Sequence, residues 1–499
     1  ADPHYVKDEN LGYNVLPGSE GSSYSSFVTG KSTRTAMVYA GANDGMLHGF
    51  RASDGVEQFA YVPGAVWPNL PLLTSPSYTH KYFVDGSPTA WDAWWGASWK
   101  TVLTGSLGAG GKAVYALDVS NPNTFGNANV LWEFTGVTTT QQANMGYILG
   151  NVSVARFPDG NYWAVFGNGY QSTSGKAVLF MVRVDSPSTV ITIETGAAPG
   201  NGLSAPKLFD SNDDSIVDLV YAGDLKGNVW KFDVSGSSSA TWKSAYLAGS
   251  TPKPLFTAKD GSGNPQPITS PLEVGLAPSG ATGLMVYFGT GKYFETGDNT
   301  TTSVQSMYGV VDSGSAFSGA NHRTQLQSQS IIFETTISGK GVRVMSDNSV
   351  NYASQKGWVI DLLTPPGPGT AEGERVISSP KLFGGKLLFQ SIIPSVSPCD
   401  YGGTSWLMLV DPATGGEPQT DTFDVDGNGI FNGADMVDIG GGVMKKVSGL
   451  DVGVGISGGV STPLKGDGKA TIPVGGTGGF GSGSVRLPAN SSASWRQIQ

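Results

Sequence analysis

A single cysteine, Cys399, stands in the 499 residues, so no disulfide can close within the chain. Its thiol reads as partly buried and inert, or as the partner of a cysteine elsewhere. So little cysteine suits a large secreted bacterial β protein better than a small disulfide-stapled domain. Histidine is nearly as scarce: His4, His48, His80 and His322 lie far apart, with no HExxH-type spacing. Charged residues make up only 14%, and few segments could form a long amphipathic helix. No run approaches the roughly 18 continuous apolar residues of a membrane span, so the chain is not expected to span a membrane. No signal peptide is visible in "ADPHYVKDEN", which begins abruptly, as a mature or excised fragment would. Basic charge is short as well. A net charge of -10 argues against nucleic acid or an anionic membrane as the main partner, and suits a protein that recruits cations.

Glycine (72) and proline (29) are abundant, and Ser, Thr, Asn and Gly separate short apolar runs throughout. "VYAGANDGMLHGFRASDG" from Val38 and "VYAGDLKGNVWKFDVSG" from Val220 share one pattern: a strand, a glycine-containing tight turn, and a second strand with apolar residues at alternate positions. Looser copies begin at Thr101, Trp163, Leu284 and Lys386. Hairpin units starting roughly 55 to 65 residues apart, with one gap near 100 that could hold a divergent unit, indicate radially arranged four-stranded blades. The expected fold is therefore all-β, a modified β-propeller with room for six or seven blades. Two stacked β-sandwiches would supply the strands without the repeat. Residues 1–30 read as a lead-in and 31–440 as blades, with insertions at about 237–282 and 314–356. Residues 441–499 read as glycine-rich closing strands and a tail.

Two acidic loops interrupt this pattern. In the first, Asp210, Asn212, Asp214 and Asp218 occupy loop positions 1, 3, 5 and 9, and Ile216 at position 7 offers its carbonyl. Hard oxygen ligands at alternating positions suit Ca²⁺, which takes six to eight oxygens. Softer metals would need His or Cys, and neither lies nearby. The loop has Ser215 where the sharp bend usually wants glycine, and no glutamate at position 12. The second loop, "DVDGNGIFNGAD", sets Asp424, Asp426, Asn428, Asn432 and Asp435 at positions 1, 3, 5, 9 and 12, with Gly429 at the bend. Ile430 is expected to offer its carbonyl and pack its side chain inward. This is a nearly complete loop of EF-hand or dockerin type, ending in Asp instead of Glu, without two flanking helices. One or two calcium ions are thus the expected cofactor.

No nucleophile elbow or phosphate loop leading into a helix is present. "GAGGKAV" (Gly108 to Val114) joins two strands and reads as a turn, and His48 reads as packed in its hairpin. The expectation is a protein without catalytic residues. A quinoprotein-dehydrogenase-like propeller is one alternative, although many of those enzymes use a vicinal cysteine pair that this chain lacks. A glycan-binding propeller is a second. "WDAWWGASW" (Trp91 to Trp99) could stack on sugars, but reads first as core and blade-junction packing.

Five ordered blocks, "VYAGANDGMLHGFRASDGVEQFAYVP", "YFVDGSPTAWDAWWG", "GAGGKAVYALDVSNP", "WAVFGNGYQSTSGKAVL" and "DSNDDSIVDLVYAGDLKGNVWKFDVSG", together resemble the C-terminal domain of the PilC/PilY family. These are type IV pilus biogenesis and tip-associated proteins. The likeness is dense from Val38 to Phe232, then returns in "TSWLMLVDPATGG" and the terminal "SWRQI". It implies a modified seven-bladed propeller on the surface of a Gram-negative bacterium, associated with the pilus and the outer membrane. It also implies that Asp210, Asn212, Asp214, Ile216 and Asp218 hold calcium, with the bound form opposing pilus retraction and release permitting it. Twitching motility, surface attachment and adhesion to host receptors follow from the same resemblance, with pilins or minor pilins as partners. Ser215 departs from the glycine common in the family, which bears on affinity more than on ligand identity. Family members are longer, often with a von Willebrand A-like module, so this chain reads as a C-terminal half. No RGD occurs, and "KGD" (Lys465 to Asp467) is weak evidence for integrin binding.

Overall fold

The computed structural model describes residues 1–196, 199–365, 369–397, 401–420, 422–459, 464–466 and 469–487. Cys399, Asp467 and the terminal "SWRQI" lie outside the described residues. The chain forms two compact units, one mainly Ala1–Asp224 with Trp230–Lys253, the other Leu225–Val229 with the chain from Pro254 onward.

The first unit is built from up-and-down antiparallel sheets. β1 (His4–Val6), β2 (Met37–Gly41), β3 (Leu47–Arg51) and β4 (Glu57–Tyr61) pair in chain order, as do β5 (Thr89–Trp95), β6 (Ser98–Ser106), β7 (Val114–Asp118) and β8 (Val130–Phe134). The pattern repeats with β9 (Ser153–Arg156), β10 (Tyr162–Gly167), β11 (Val178–Arg183) and β12 (Val190–Glu194). It repeats again with β13 (Lys207–Phe209), β14 (Leu219–Gly223), β15 (Asn228–Asp233) and β16 (Lys243–Ser244). Side chains alternate across each sheet, and here both faces are apolar. Val114 and Ala116 enter one core cluster while Tyr115 and Leu117 enter another. Likewise Val178, Phe180 and Val182 face one way, Leu179 and Met181 the other. Phe166 and Phe180 stack at 5.4 Å, and burial of each such ring contributes about 1.5 to 3 kcal/mol. The repeated hairpin turn owes its glycine to shape. Gly227 has φ +80, and a Cβ there would sit 2.6 Å from the Gln266 carbonyl oxygen.

The lead-in contains a helix, α1 (Gly18–Lys31), in a serine-rich stretch where the sequence shows no apolar stripe. Glu20 lies in its first turn and Lys31 in its last, matching the helix dipole. Tertiary pairing holds it. Arg156 bonds Glu20 at 3.0 Å, Tyr162 Oη donates to Glu20 at 2.6 Å, and Lys31 bonds the buried Asp92 at 2.6 Å. Residues 1–31 are thus an integral part of the first unit.

The second unit contains a five-stranded sheet built on Glu273–Leu276, Leu284–Gly289, Ser306–Asp312, Gly357–Asp361 and Gln327–Gln329. A six-stranded sheet follows the order Ile331–Ile337, Lys340–Met345, Gly449–Asp451, Gly403–Val410, Lys386–Pro394 and Lys381–Phe383. These placements put strands within both segments read as insertions. Segment 314–356 contains the hairpin Ile331–Met345, whose second strand lies inside the sheet, because its alternation of apolar and polar residues outweighs its serine and glycine content. Segment 237–282 supplies β16 and the strand Glu273–Leu276 as well as the short hairpin at 247–252. The glycine-rich closing region delivers Gly449–Asp451 to the six-stranded sheet and forms a three-stranded sheet, Leu464–Gly466, Lys469–Gly476 and Gly479–Arg486. Beneath the six-stranded sheet, the buried Arg343 bonds Glu374 at 2.7 Å and Glu334 at 2.9 Å and lies 3.9 Å over Trp406.

Candidate calcium loops

The first loop connects β13 to β14, and the register of those strands fixes its ends: Asp218 N–H donates to the Phe209 carbonyl at 3.1 Å. Inside, side-chain oxygens at alternate positions accept backbone N–H groups ahead of them. Asp210 accepts from Asn212 (3.1 Å), Asp213 (2.8 Å) and Ser215 (2.6 Å). Asn212 accepts from Asp214 at 3.1 Å, and Asp214 from Ile216 at 2.8 Å. Asp213 and Ser215 take left-handed backbone, with φ +67 and +63. Ile216 is half-buried against the core cluster of the first unit. Burial raises the Asp210 carboxyl above its ordinary value; the three N–H donors oppose that shift and the nearby Asp214 charge adds to it.

The second loop repeats this backbone in the second unit. Asp424 accepts from Gly427 at 2.8 Å and Gly429 at 2.9 Å, Asp426 from Asn428 at 3.0 Å, and Asn428 from Ile430 at 2.7 Å. Gly427 and Gly429 have φ +77 and +79, at the same loop positions as Asp213 and Ser215. Asp435 closes the loop by accepting from Val425 at 2.7 Å and Asn432 at 3.0 Å. Asn432 caps the short 3-10 turn Gly433–Asp435. The flanks are a bridge from Phe423 to Val485 and the strand Met436–Asp438, with no α-helix on either side.

The two loops differ in how far their carboxylates converge. One oxygen from each of Asp424, Asp426 and Asp435 lies within 4.8 Å of the others, the one such acidic grouping among the described residues. Pairs of like charges near 4 Å cost on the order of 1 to 4 kcal/mol each, which a divalent cation reverses. In the first loop Asp210, Asp214 and Asp218 are less gathered. Asp218 is turned onto Ser211, accepting from its N–H at 3.0 Å and its hydroxyl at 2.6 Å. Ile430 is 60% exposed, which corrects the expected inward packing. The loop lies on the surface and no apolar neighbour covers position 7.

Both donor sets fit a hard cation: carboxylate, amide and carbonyl oxygens, with no nitrogen or sulfur ligand. Sequence spacing could not reveal the cations already beside the second loop. Lys340 donates to the Val425 carbonyl at 3.1 Å, and Lys469 Nζ stands 3.3 Å from the Cβ position of Gly429. Both come from strands distant in sequence, and their charge offsets part of the cluster's.

The other candidates resolve into packing. Trp91 and Trp99 are core residues whose indole N–H groups reach the carbonyls of Val152 (3.2 Å) and Glu20 (3.1 Å). Trp94 and Trp95 are half-buried and line a cleft of about 230 Å³ with Asn161 and Asp185. His48 is held between Asp44 (2.9 Å) and Glu57 across its hairpin.

Meanders of four strands with both faces buried define a β-propeller-type protein. The family model for the PilY1 beta-propeller domain matches residues 5–337, and the chain belongs to that family. It is 40% identical over 416 residues to a type IV pilus biogenesis factor PilY1 homolog of Xylella fastidiosa, covering 80% of this chain and 28% of that protein. It is 35% identical over 460 residues to the type IV pilus biogenesis factor PilY1 of Pseudomonas aeruginosa strain PAO1, covering 85% of this chain and 39% of that protein. The crystal structure of the Pseudomonas aeruginosa PilY1 C-terminal domain matches with a TM-score of 0.78 and 32% identity, covering 97% of this chain and 99% of that one. This chain therefore spans between 28% and 39% of the length of these two curated relatives, which are named as assembly factors, not as catalysts.

Proposed function

We propose that this chain is the calcium-responsive part of a type IV pilus biogenesis factor and tip-associated adhesin, working at the cell surface of a Gram-negative bacterium. Family membership supports the pilus role. The observation that carries the calcium reading is the shared loop backbone, with aspartates and asparagines at alternate positions and left-handed residues at positions 4 and 6. In the second loop that turn brings carboxylate oxygens of Asp424, Asp426 and Asp435 within 4.8 Å of one another, a grouping that suits a six- to eight-coordinate cation. Asp210, Asn212, Asp214, Asp218 and the Ile216 carbonyl would hold one ion. Asp424, Asp426, Asn428, Asn432, Asp435 and the Ile430 carbonyl would hold the second.

In this reading the ion at the first loop draws Asp218 away from Ser211 and stiffens the turn between β13 and β14. The stiffened loop favours pilus extension and its loss permits retraction, so that twitching motility and attachment follow external calcium. Pilins or minor pilins are the partners, and host receptors are secondary ones. The test uses the full-length protein in its own bacterium: Asp214→Ala restored to a deletion strain, with surface pilin and twitching-zone diameter measured with and without chelator. The expected result is wild-type levels of the variant protein and a phenotype that no longer responds to chelation. A chelator response equal to wild type would refute the calcium role.

A further inference from the structure

The first loop is fastened on its inner side to the N-terminal segment, and we propose that calcium in this loop sets the order of residues 9–31 through Ser215 and Ile216. The inference rests on the calcium reading above and adds to it a regulated element within the same unit.

Three successive loop residues carry the connection. Ser215 is 8% exposed, and its hydroxyl donates to the Gly12 carbonyl at 3.4 Å. The Ile216 side chain packs on the cluster that contains Tyr13, Leu16 and Tyr24. Val217 N–H donates to the Arg156 carbonyl at 3.0 Å, and the Arg156 guanidinium grips Glu20 of α1. On the other side of these contacts, Gly12 leads into the turn Tyr13–Val15, and Tyr13 stacks on Trp99 at 5.4 Å. Leu11 N–H donates to Tyr24 Oη at 2.8 Å, joining the segment to the middle of α1.

The residues that make these contacts are the ones the ligands hold. Asp210 accepts from Ser215 N–H and Asp214 from Ile216 N–H. An ion that fixes the two carboxylates and the Ile216 carbonyl fixes the same peptide groups. Without it, loosening at 214–216 passes directly to Gly12 and to the cluster under α1.

The strap also accounts for Ser215. A non-glycine residue in left-handed backbone is strained. The second loop avoids that strain with Gly429, and there position 6 carries no side chain and Ile430 is exposed. The same turn thus occurs once with a tether and once without one. Serine stands where its hydroxyl reaches a neighbouring segment.

Hydrogen exchange of the 499-residue chain, in chelator and in CaCl₂, tests the proposal. In wild type, calcium should slow exchange in peptides covering 208–219 and in those covering 9–16. Ser215→Ala deletes one hydroxyl, removes no ligand oxygen and leaves every named ligand residue in place. It should keep the response at 208–219, with calcium affinity changed by less than about tenfold, and at least halve the response at 9–16. Asp214→Ala should lose both responses. A response at 208–219 with none at 9–16 in wild type, or one at 9–16 that Ser215→Ala reduces by less than half, overturns the coupling and leaves calcium binding intact. No response at 208–219 in wild type overturns both.

Discussion

Asp213 and Ser215 adopt the backbone that glycine adopts at the matching places in the second loop, and nothing in their side chains announces it. What spacing does announce is the oxygen pattern. Asp210, Asn212, Asp214 and Asp218 were readable as a candidate oxygen set because alternate positions of a tight turn face one side. Whether their carboxylates converge was not readable, since Ser211 competes for Asp218 through a contact only the fold supplies. Lys340 and Lys469 were hidden for the same reason. Buried charge at the residue scale gives a direct prediction. Arg343→Ala leaves Glu374 uncompensated beneath the six-stranded sheet, and the second unit should lose about 3 to 5 kcal/mol, read from its urea unfolding transition. A loss under about 1 kcal/mol would contradict the assignment of Arg343 as the buried counter-charge.

At the scale of elements, the hairpins were legible and the helix was not. "VYAG…G…LHGF" and "VYAG…G…VWKF" give alternation plus a glycine turn, which only a hairpin satisfies; α1 instead rests on Glu20, Tyr24 and Lys31 finding partners on β5, β9 and β10. The hairpin at Ile331–Met345 stands in a segment rich in serine and glycine, where apolar alternation is the local sign of a strand. The β3 hairpin carries its own pH response. Burial alone would lower the His48 pKa, but bonds to Glu57 and Asp44 win and raise it above 6.5. A raised folded-state value stabilises the hairpin below pH 6.5, and that contribution disappears as pH rises through the raised value. Amide exchange at residues 44–60 should therefore quicken between pH 6 and 9 beyond the intrinsic rate change, and His48→Gln should abolish the excess. An excess that persists in His48→Gln would place the titration elsewhere.

At the scale of the whole chain, the repeat identified the architecture because each sheet must bury both faces, and only stacked sheets do that. The family resemblance then pointed to the proposed pilus role, which no cavity or catalytic cluster among the described residues would have suggested. Calcium would bear on stability as well: an ion that bound only the folded loops would stabilise them by mass action, by about 2.7 kcal/mol at a hundredfold excess over the dissociation constant. The acidic balance of -10 assists by drawing cations to the surface at low salt. The most direct test of the central claim is calorimetric titration of the chelator-stripped chain with CaCl₂, comparing wild type with Asp214→Ala and Asp426→Ala. The prediction is two bound ions in wild type and one in each variant; no binding heat in wild type, or two ions in both variants, would contradict it.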